Sequence, residues 1–416
     1  MASLTTEVLS PTCERSAPQS DHNLVDSQSG SPLVRVARSF TAFEELKEIW
    51  NFWCDDPNAD LDFYLASARC RHDFVRPHVM IVYRNGRPDC MLVGRLERCR
   101  LKMKVGYKTF FGPQVHQLFF LQGGLFGNDS EENIKMLVGE LRQSLKGGEA
   151  DCVELSSVSS NSNLYETSKA EFNVFCRGHF SPLHEHRWLE LPASFEEFIR
   201  SLPRKYRHEF RRHEKMVVHD FSGRTRIRCY RHEDEVGELA QEVEKISSKT
   251  YQRTLGVGFQ PESEVLESLR VTARKGGLRG CVLYLGGEPC AYFIGKQYKH
   301  AFHGNFMGFD PQFSKYSPGL LVLMHSIEEC FDPGYRATQV DLGWGDRQYK
   351  RIICNRSRQD GPIYLYALSC RGLTLNFVRS ATSFVDFAAR KLLAKSSFLQ
   401  KLKRSWQRRL QEPAVA

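Results

Sequence analysis

The 416-residue chain is 41% hydrophobic and 26% charged, enough for two ordinary domain cores, and this composition excludes a chain disordered throughout. A formal net charge of +9 favours an anionic partner without choosing among cofactor phosphate, acidic lipid and nucleic acid. The thirteen cysteines include neither a CxxC pair nor the Cys/His spacing of a zinc site, and an odd count fits reduced thiols, so a cytosolic protein without a metal is expected.

In chain order, residues 1–32 are rich in Ser, Thr, Pro, Asp and Gln, bury too little to offset their ordering entropy, and read as a disordered tail. No basic segment leads into an apolar stretch at the start, and there is no run of about 18 apolar residues, so neither secretion nor membrane spanning is expected. From Val79 the chain reads VMIVYRNGRPDCMLVGR, a β-hairpin in which Asn85-Gly86 supplies the positive φ of a tight turn. A helix-period stretch follows from Glu131 to Lys146, then the stop Gly147-Gly148, then a short buried strand from Cys152 to Leu155. Ser194 and Glu197 have the spacing of a capping box and open a helix whose apolar face is Phe195, Phe198, Ile199 and Leu202. Pro203 suits the first turn of the next helix, and a domain border falls near Pro192.

The hairpin returns from Cys281 as CVLYLGGEPCAYFIGK, with Gly286-Gly287 at its turn. Aligning the two turns places Leu92, Val93 and Gly94 on Phe293, Ile294 and Gly295, and Arg95 on Lys296. A helix from Gly319 to Cys330, a stop at Gly334 and a strand from Gln339 to Leu342 then repeat the order of the first half. The expectation is a duplicated α/β chain with a mixed sheet: one domain over 33–191, a second over 192–370, and a basic helical tail over 371–416.

Helix N-termini present unpaired N–H groups, so a pyrophosphate binds there when nothing negative competes. The first-half helix opens Ser130-Glu131-Glu132, carboxylates that close it to phosphate. The second-half helix follows Ser314-Lys-Tyr-Ser-Pro-Gly319, with no acid before Glu328 and a glycine that admits a ligand. Gly304 and Gly308 interrupt the strand before it, as where a strand bulges or lets a ligand come close. The stretch DLGWGDRQYK, Asp341 to Lys350, gathers two carboxylates, a phenol, an amine and a guanidinium past the end of a strand, where α/β proteins place chemistry. Acyl transfer needs a base for the acceptor proton and an acid for the leaving thiolate, and Asp346 and Tyr349 are the candidates. The plainer alternative ties Asp341 to backbone and leaves Lys350 and Arg351 covering apolar surface with their stems.

This order of elements, with the YSPG loop and DxGxGDxxYK, resembles the GNAT-fold acyltransferases of bacterial cellulose and exopolysaccharide biosynthesis, the CelD or BcsL type. The resemblance runs from Val34 to Leu368, is strongest from Leu278 to Lys350, and includes the linker LPRKYRHEFRR from Leu202. It implies two tandem GNAT-like domains, an architecture shared with Fem-type aminoacyl transferases, the first non-catalytic and the second catalytic. It implies acyl-CoA as donor co-substrate, with the turn Tyr316, Ser317, Pro318 and Gly319 facing its pyrophosphate; Leu320 and, on the glycine-broken strand, Phe306 and Met307 are the further donor-side candidates. It implies an active cleft lined by Asp341, Gly345, Asp346, Tyr349 and Lys350. Tyr251, Arg253, Trp344 and Arg347 are the acceptor-side candidates, although Arg253 also reads as a helix-end cation favoured by the dipole. The chain departs from better-studied GNAT enzymes in lacking a plain Q/RxxGxG/A loop.

The basic stretch Arg204 to Lys215 reads first as a solvated helix face, since Glu209 and Glu214 break its field, and nucleic acid is not favoured. From Leu373 to Leu410 apolar residues alternate with basic ones around Trp406, a pattern for peripheral contact with an anionic membrane or for packing on the catalytic domain. The leading expectation is a cytosolic N- or O-acyltransferase acting on a sugar, amino sugar or lipid-linked precursor, as in exopolysaccharide or cell-envelope synthesis. Its rivals are Fem-like transfer from aminoacyl-tRNA and a catalytically silent scaffold.

Overall fold

The computed structural model describes residues 31–105, 108–250, 253, 258–332, 334–335 and 337–395. The expectations for the N-terminal tail, for Tyr251 and for the basic stretch beyond residue 395 lie outside the described residues. The first half runs β1 (Leu33–Ala37), α1 (Lys47–Trp53), α2 (Leu61–Cys70), β2 (Phe74–Arg84), β3 (Arg87–Val105), β4 (Lys108–Gly127), α3 (Glu131–Lys146), β5 (Cys152–Ser159), α4 (Asn163–Glu171) and β6 (His184–Glu190). The second runs α5 (Phe195–Ser201), α6 (Arg204–Asp220), β7 (Thr225–Tyr230), α7 (Val236–Ser247), α8 (Ser263–Arg274), β8 (Leu278–Leu285), β9 (Glu288–Tyr298), β10 (Ala301–Phe309), α9 (Pro318–Glu329), β11 (Gln339–Trp344), α10 (Gln348–Ile353), β12 (Arg356–Tyr366) and α11 (Cys370–Lys395).

Both hairpin turns take the positive φ their sequences foretell, 51° and 75° at Asn85 and Gly86 and 67° and 95° at Gly286 and Gly287. The duplication extends to packing. A Cβ on Gly94 would stand 2.5 Å from the Phe120 ring of the next strand, and one on Gly295 would stand 2.4 Å from the Phe302 ring. The two glycines that the turn alignment superposes therefore make room for the same neighbouring aromatic.

The twelve strands among the described residues join one mixed sheet in the order β1-β2-β3-β4-β5-β12-β6-β11-β10-β9-β8-β7. The halves exchange their last strands. β6 ends the first half in sequence, yet it pairs antiparallel with β11, Leu189 opposite Val340. β12 closes the second half in sequence, yet it pairs with β5, Ile363 opposite Leu155. The two exchanged strands also pair with each other, Arg358 opposite His186, which makes the sheet continuous.

Corresponding amphipathic helices of the two halves lie on this sheet. α3 buries Ile134, Leu137, Val138 and Leu141, and α9 buries Val322, Leu323, Met324 and Ile327. A fully buried side chain of this size contributes about 1.5–3 kcal/mol. α2 and α8 pack together across the two halves, where Lys275 Nζ lies 2.7 Å from Asp60 Oδ1. α11 packs against β3 of the first half. There Asn376 Nδ2 donates to the carbonyls of Phe175 and Arg177 at 2.8 and 2.9 Å, and the Arg379 guanidinium lies over the Tyr364 ring. The tail helix thus docks on the opposite half from the one its sequence position suggests, because β12 has already carried the chain across. No helix among the described residues is long and apolar enough to cross a membrane.

Candidate active site

β10 and β11 run parallel but pair at only three positions, Ala301 to His303 against Gln339 to Asp341. Beyond them the strands part. β10 bulges between Gly304 and Phe306 and stays with β9, while the end of β11 leaves through Gly343 and Gly345 at φ 68° and 106°. A cavity of about 480 Å³ opens in the parting, lined by Gly304 to Phe309 on one side and by Leu342, Gly343, Trp344, Arg347, Gln348, Tyr349 and Lys350 on the other. Gly304 and Gly308 keep that wall smooth, since their inner sides already touch Phe293 and Tyr292. Past residue 303, the β11-facing backbone groups of β10 have no strand partner among the described residues and are available to a ligand.

The start of α9 stands at the rim of this cavity, because Phe309 lines the cavity and lies 3.2 Å from where a Cβ of Gly319 would be. Its local structure differs from a plain serine cap. Ser317 is left-handed, φ 49° and ψ 50°, caps no N–H with its side chain, and places its Oγ 3.2 Å from His213 Nε2. Pro318 and Gly319 are buried, and the Tyr316 phenol donates to Asp220 at 2.7 Å. Tyr316, Ser317, Pro318, Gly319 and Leu320 accordingly flank the cavity, whereas Phe306 and Met307 line it. The first turn of α9 contains no acid, and the basic helix α6 packs beside it. The Asp220 carboxylate that Tyr316 contacts is held down to about 2 by bonds from His219 and Tyr316. In the first half Ser130 caps Asn133 and Glu131 and Glu132 fill the first turn of α3.

A second pocket of about 410 Å³ lies between the halves and shares Asn305 and Phe306 with the first. Ser67 of α2 and Ser268 of α8 line it, together with the aligned pair Arg95 and Lys296. Arg95 Nε donates to Glu97 Oε1 at 2.5 Å, so its charge is matched. Lys296 is only 6% exposed, and its ammonium donates to Ser268 Oγ at 3.0 Å and sits 4.4 Å over the Phe63 ring. Burial lowers its pKa to about 8, against the opposing pull of Asp56 and Asp60.

At the end of β11 the charged residues are engaged with one another. Asp341 accepts from His186 Nε2 at 2.8 Å and from the Gly343 N–H at 2.7 Å, and His303 Nδ1 stands 3.6 Å away. Burial alone would raise the Asp341 carboxyl, but hydrogen bonds from His186 and His303 hold it well below the usual carboxylate range. Burial alone would lower His186, yet Asp341 on one side and Asp360, 3.0 Å from its Nδ1, on the other raise it to about 9. Lys350 is buried, which lowers it to about 8, and it donates to the carbonyls of Leu342, Gly343 and Trp344. It thereby satisfies strand-end acceptors that would otherwise be costly to bury. Asp346 forms a two-bond pair with Arg351 outside the cavity lining, and that bonding lowers its carboxyl. Arg253 pairs with Glu244 at 2.9 Å and donates to the Phe259 carbonyl at 2.8 Å, the helix-end arrangement.

Of the residues singled out by sequence, the structure brings Phe306, Met307, Trp344, Arg347, Tyr349 and Lys350 together around one cavity. Sequence reasoning missed Lys296, Asn305, His186 and His303. A signal for Lys296 was present: it is the one charge closing the apolar run AYFIG within β9.

A model of the acetyltransferase (GNAT) domain matches residues 204–351. No curated protein sequence matches the chain. Among solved structures, FemX is 10% identical with a TM-score of 0.52, over 77% of this chain and 95% of FemX. A tandem GNAT protein from the clavulanic acid biosynthesis pathway is 9% identical with a TM-score of 0.50, over 82% of this chain and 99% of that one. At such identities the likeness is one of fold. The match to the GNAT domain model thus lies within the second half, and the chain as a whole has the tandem GNAT fold.

Proposed function

We propose that the chain transfers an acyl group from acyl-CoA, bound in the β10/β11 parting, to an amine or hydroxyl bound between the halves. The observation that carries this reading is the meeting of the two cavities at Asn305 and Phe306, beyond the last paired residues of β10 and β11. The donor cavity fits a thin pantetheine-like chain, since one wall offers unpaired strand backbone and the other a rim of Trp344 and Tyr349. The α9 start suits a pyrophosphate at the rim, free of acids in its first turn and flanked by the basic α6. When bound, the thioester supplies an activated acyl carbon.

The inter-half pocket is walled by Asn58, Ser67, Gln122, Ser156, Ser268 and Asn305, hydroxyl and amide groups suited to a sugar or amino-sugar acceptor, free or lipid-linked. Lys296 removes the acceptor proton as the nitrogen or oxygen attacks the acyl carbon, because its lowered pKa leaves part of it neutral near pH 8. The carbon–sulfur bond breaks, and the Tyr349 phenol returns a proton to the leaving sulfur. Asp341 is already bonded to His186 and Gly343, so it serves to hold the β11 turn.

Calorimetric titration with acetyl-CoA and longer acyl-CoAs tests donor binding, and thiol release with a panel of amino sugars tests transfer. Met307→Trp, filling the donor cavity, should weaken acyl-CoA binding by tenfold or more. Failure of every acyl-CoA to bind the wild-type chain at millimolar concentration would overturn the reading.

A further inference from the structure

At the far end of α9 from the cavity rim, four ligand-type side chains converge from three elements. Cys229 on β7 stands directly opposite Cys281 on β8 in the sheet register. His325 and Glu329 lie one turn apart on α9, facing that pair. We propose that Cys229, Cys281, His325 and Glu329 form a site for a divalent metal ion, zinc by its ligand chemistry, that clasps α9 to the outer strands of the sheet.

One ligand atom from each residue falls within 4.8 Å of all the others. Two of the separations are 3.8 Å from Cys229 Sγ to His325 Nε2 and 3.7 Å from Cys281 Sγ to Glu329 Oε2. Tetrahedral zinc, with bonds of about 2.0–2.3 Å, holds its ligand atoms roughly 3.3–3.8 Å apart, so small side-chain shifts close the shell. Two sulfurs and an imidazole favour zinc over the oxygen-seeking magnesium and calcium. Four protein ligands leave no open coordination position, which makes the site structural rather than catalytic.

The surroundings agree with a bound cation despite a nearby arginine. Arg231 donates to Glu329 Oε1 at 2.6 Å, which fixes the carboxylate and leaves Oε2 turned towards Cys281. Two thiolates and one carboxylate bring three negative charges, and a divalent ion together with Arg231 neutralises them. Cys281 is buried while the other three ligands are partly exposed, so an ion can enter from the solvent side. The sequence hides the site because its ligands are separated by two strands and a helix, with no short Cys/His spacing.

The test is direct and does not depend on acyl transfer. The full chain is purified with the thiols kept reduced, stripped with a chelator and titrated with zinc alone. One equivalent should bind with a raised thermal midpoint, and cobalt(II) in its place should give the intense visible bands of a tetrahedral thiolate site. Cys229→Ser and His325→Gln should each weaken zinc binding by tenfold or more, whereas Cys330→Ser, a buried neighbour outside the cluster, should leave it unchanged. The proposal fails if the reduced wild-type chain binds no stoichiometric zinc, if Cys330→Ser lowers affinity as much as the ligand variants do, or if Cys229 and Cys281 oxidise to a disulfide as readily with zinc present as without it.

Discussion

The two halves place a carboxylate at the same point of the same strand and treat it in opposite ways. Glu154 on β5 aligns with Asp341 on β11. Glu154 accepts from the uncharged groups of Gln117 and Tyr364, and burial raises its pKa. Asp341 accepts from His186, whose proton is secured by a second carboxylate, Asp360. The strand after each helix is therefore the same framework, carrying an acid whose charge burial disfavours in one half and an ionised network in the other. The helices differ in parallel: α3 begins with its own acids, and α9 begins with none. The two halves share the scaffold, and under the proposed function a handful of polar differences decide which copy receives an anionic ligand.

The comparison breaks most visibly at the aligned pair Arg95 and Lys296. Lys296→Met should lower kcat by about 10²–10⁴-fold with little change in acyl-CoA affinity, the usual worth of a general base. Arg95→Met, at the equivalent place, should retain a far larger share of turnover. If Lys296 takes the acceptor proton, kcat/KM in the wild-type chain rises with pH through about 8 as the amine becomes neutral, and this rise is absent in Lys296→Met. A flat wild-type profile across that range would remove Lys296 from the chemistry.

A second contrast is in stability. Folded His186 keeps its proton up to about 9, above its ordinary 6.5, so its contribution is complete below pH 6.5 and is lost as pH rises through 9. His186→Gln should cost about 3 kcal/mol at roughly pH 6 and much less above roughly pH 9.5, read by chemical denaturation. Glu154→Gln in the first half should cost far less near neutral pH.

Smaller effects test the shared scaffold. Gly94→Ala and Gly295→Ala each press a methyl group into a phenylalanine ring and should each destabilise by about 1–3 kcal/mol. Unequal costs would mean that the halves have diverged in packing as well as in polarity. Ser317→Asp gives α9 the negative start that α3 has. It should weaken acyl-CoA binding about tenfold while holding or slightly raising the thermal midpoint, since an acid at a helix start contributes about 0.3–1 kcal/mol.

The turns, the helix from Glu131 to Lys146 and the duplication were legible in the sequence because each rests on neighbouring residues: a glycine at a turn, a capping serine, an apolar period. The exchange of β6 and β12 was not legible. Both strands read as locally ordinary, and which strand each joins is decided by pairings up to about 200 residues away, such as Tyr364 with Glu154. The candidate site divided along the same line. Phe306, Met307 and Tyr349 follow from a glycine-broken strand and a strand-end loop, whereas Lys296 gains its character only from walls supplied by the other half. Ser317 shows a distant partner winning over a local one, since its hydroxyl turns to His213 and does not cap its own helix.

The reciprocal crossing of the final strands limits how this molecule can be cut. A fragment beginning at residue 192 would lack the ribbon that covers β11, and one ending there would leave β5 with a bare edge, so each piece would carry an open template for aggregation. The first half cannot be discarded during evolution, because the second folds against a strand that it contributes.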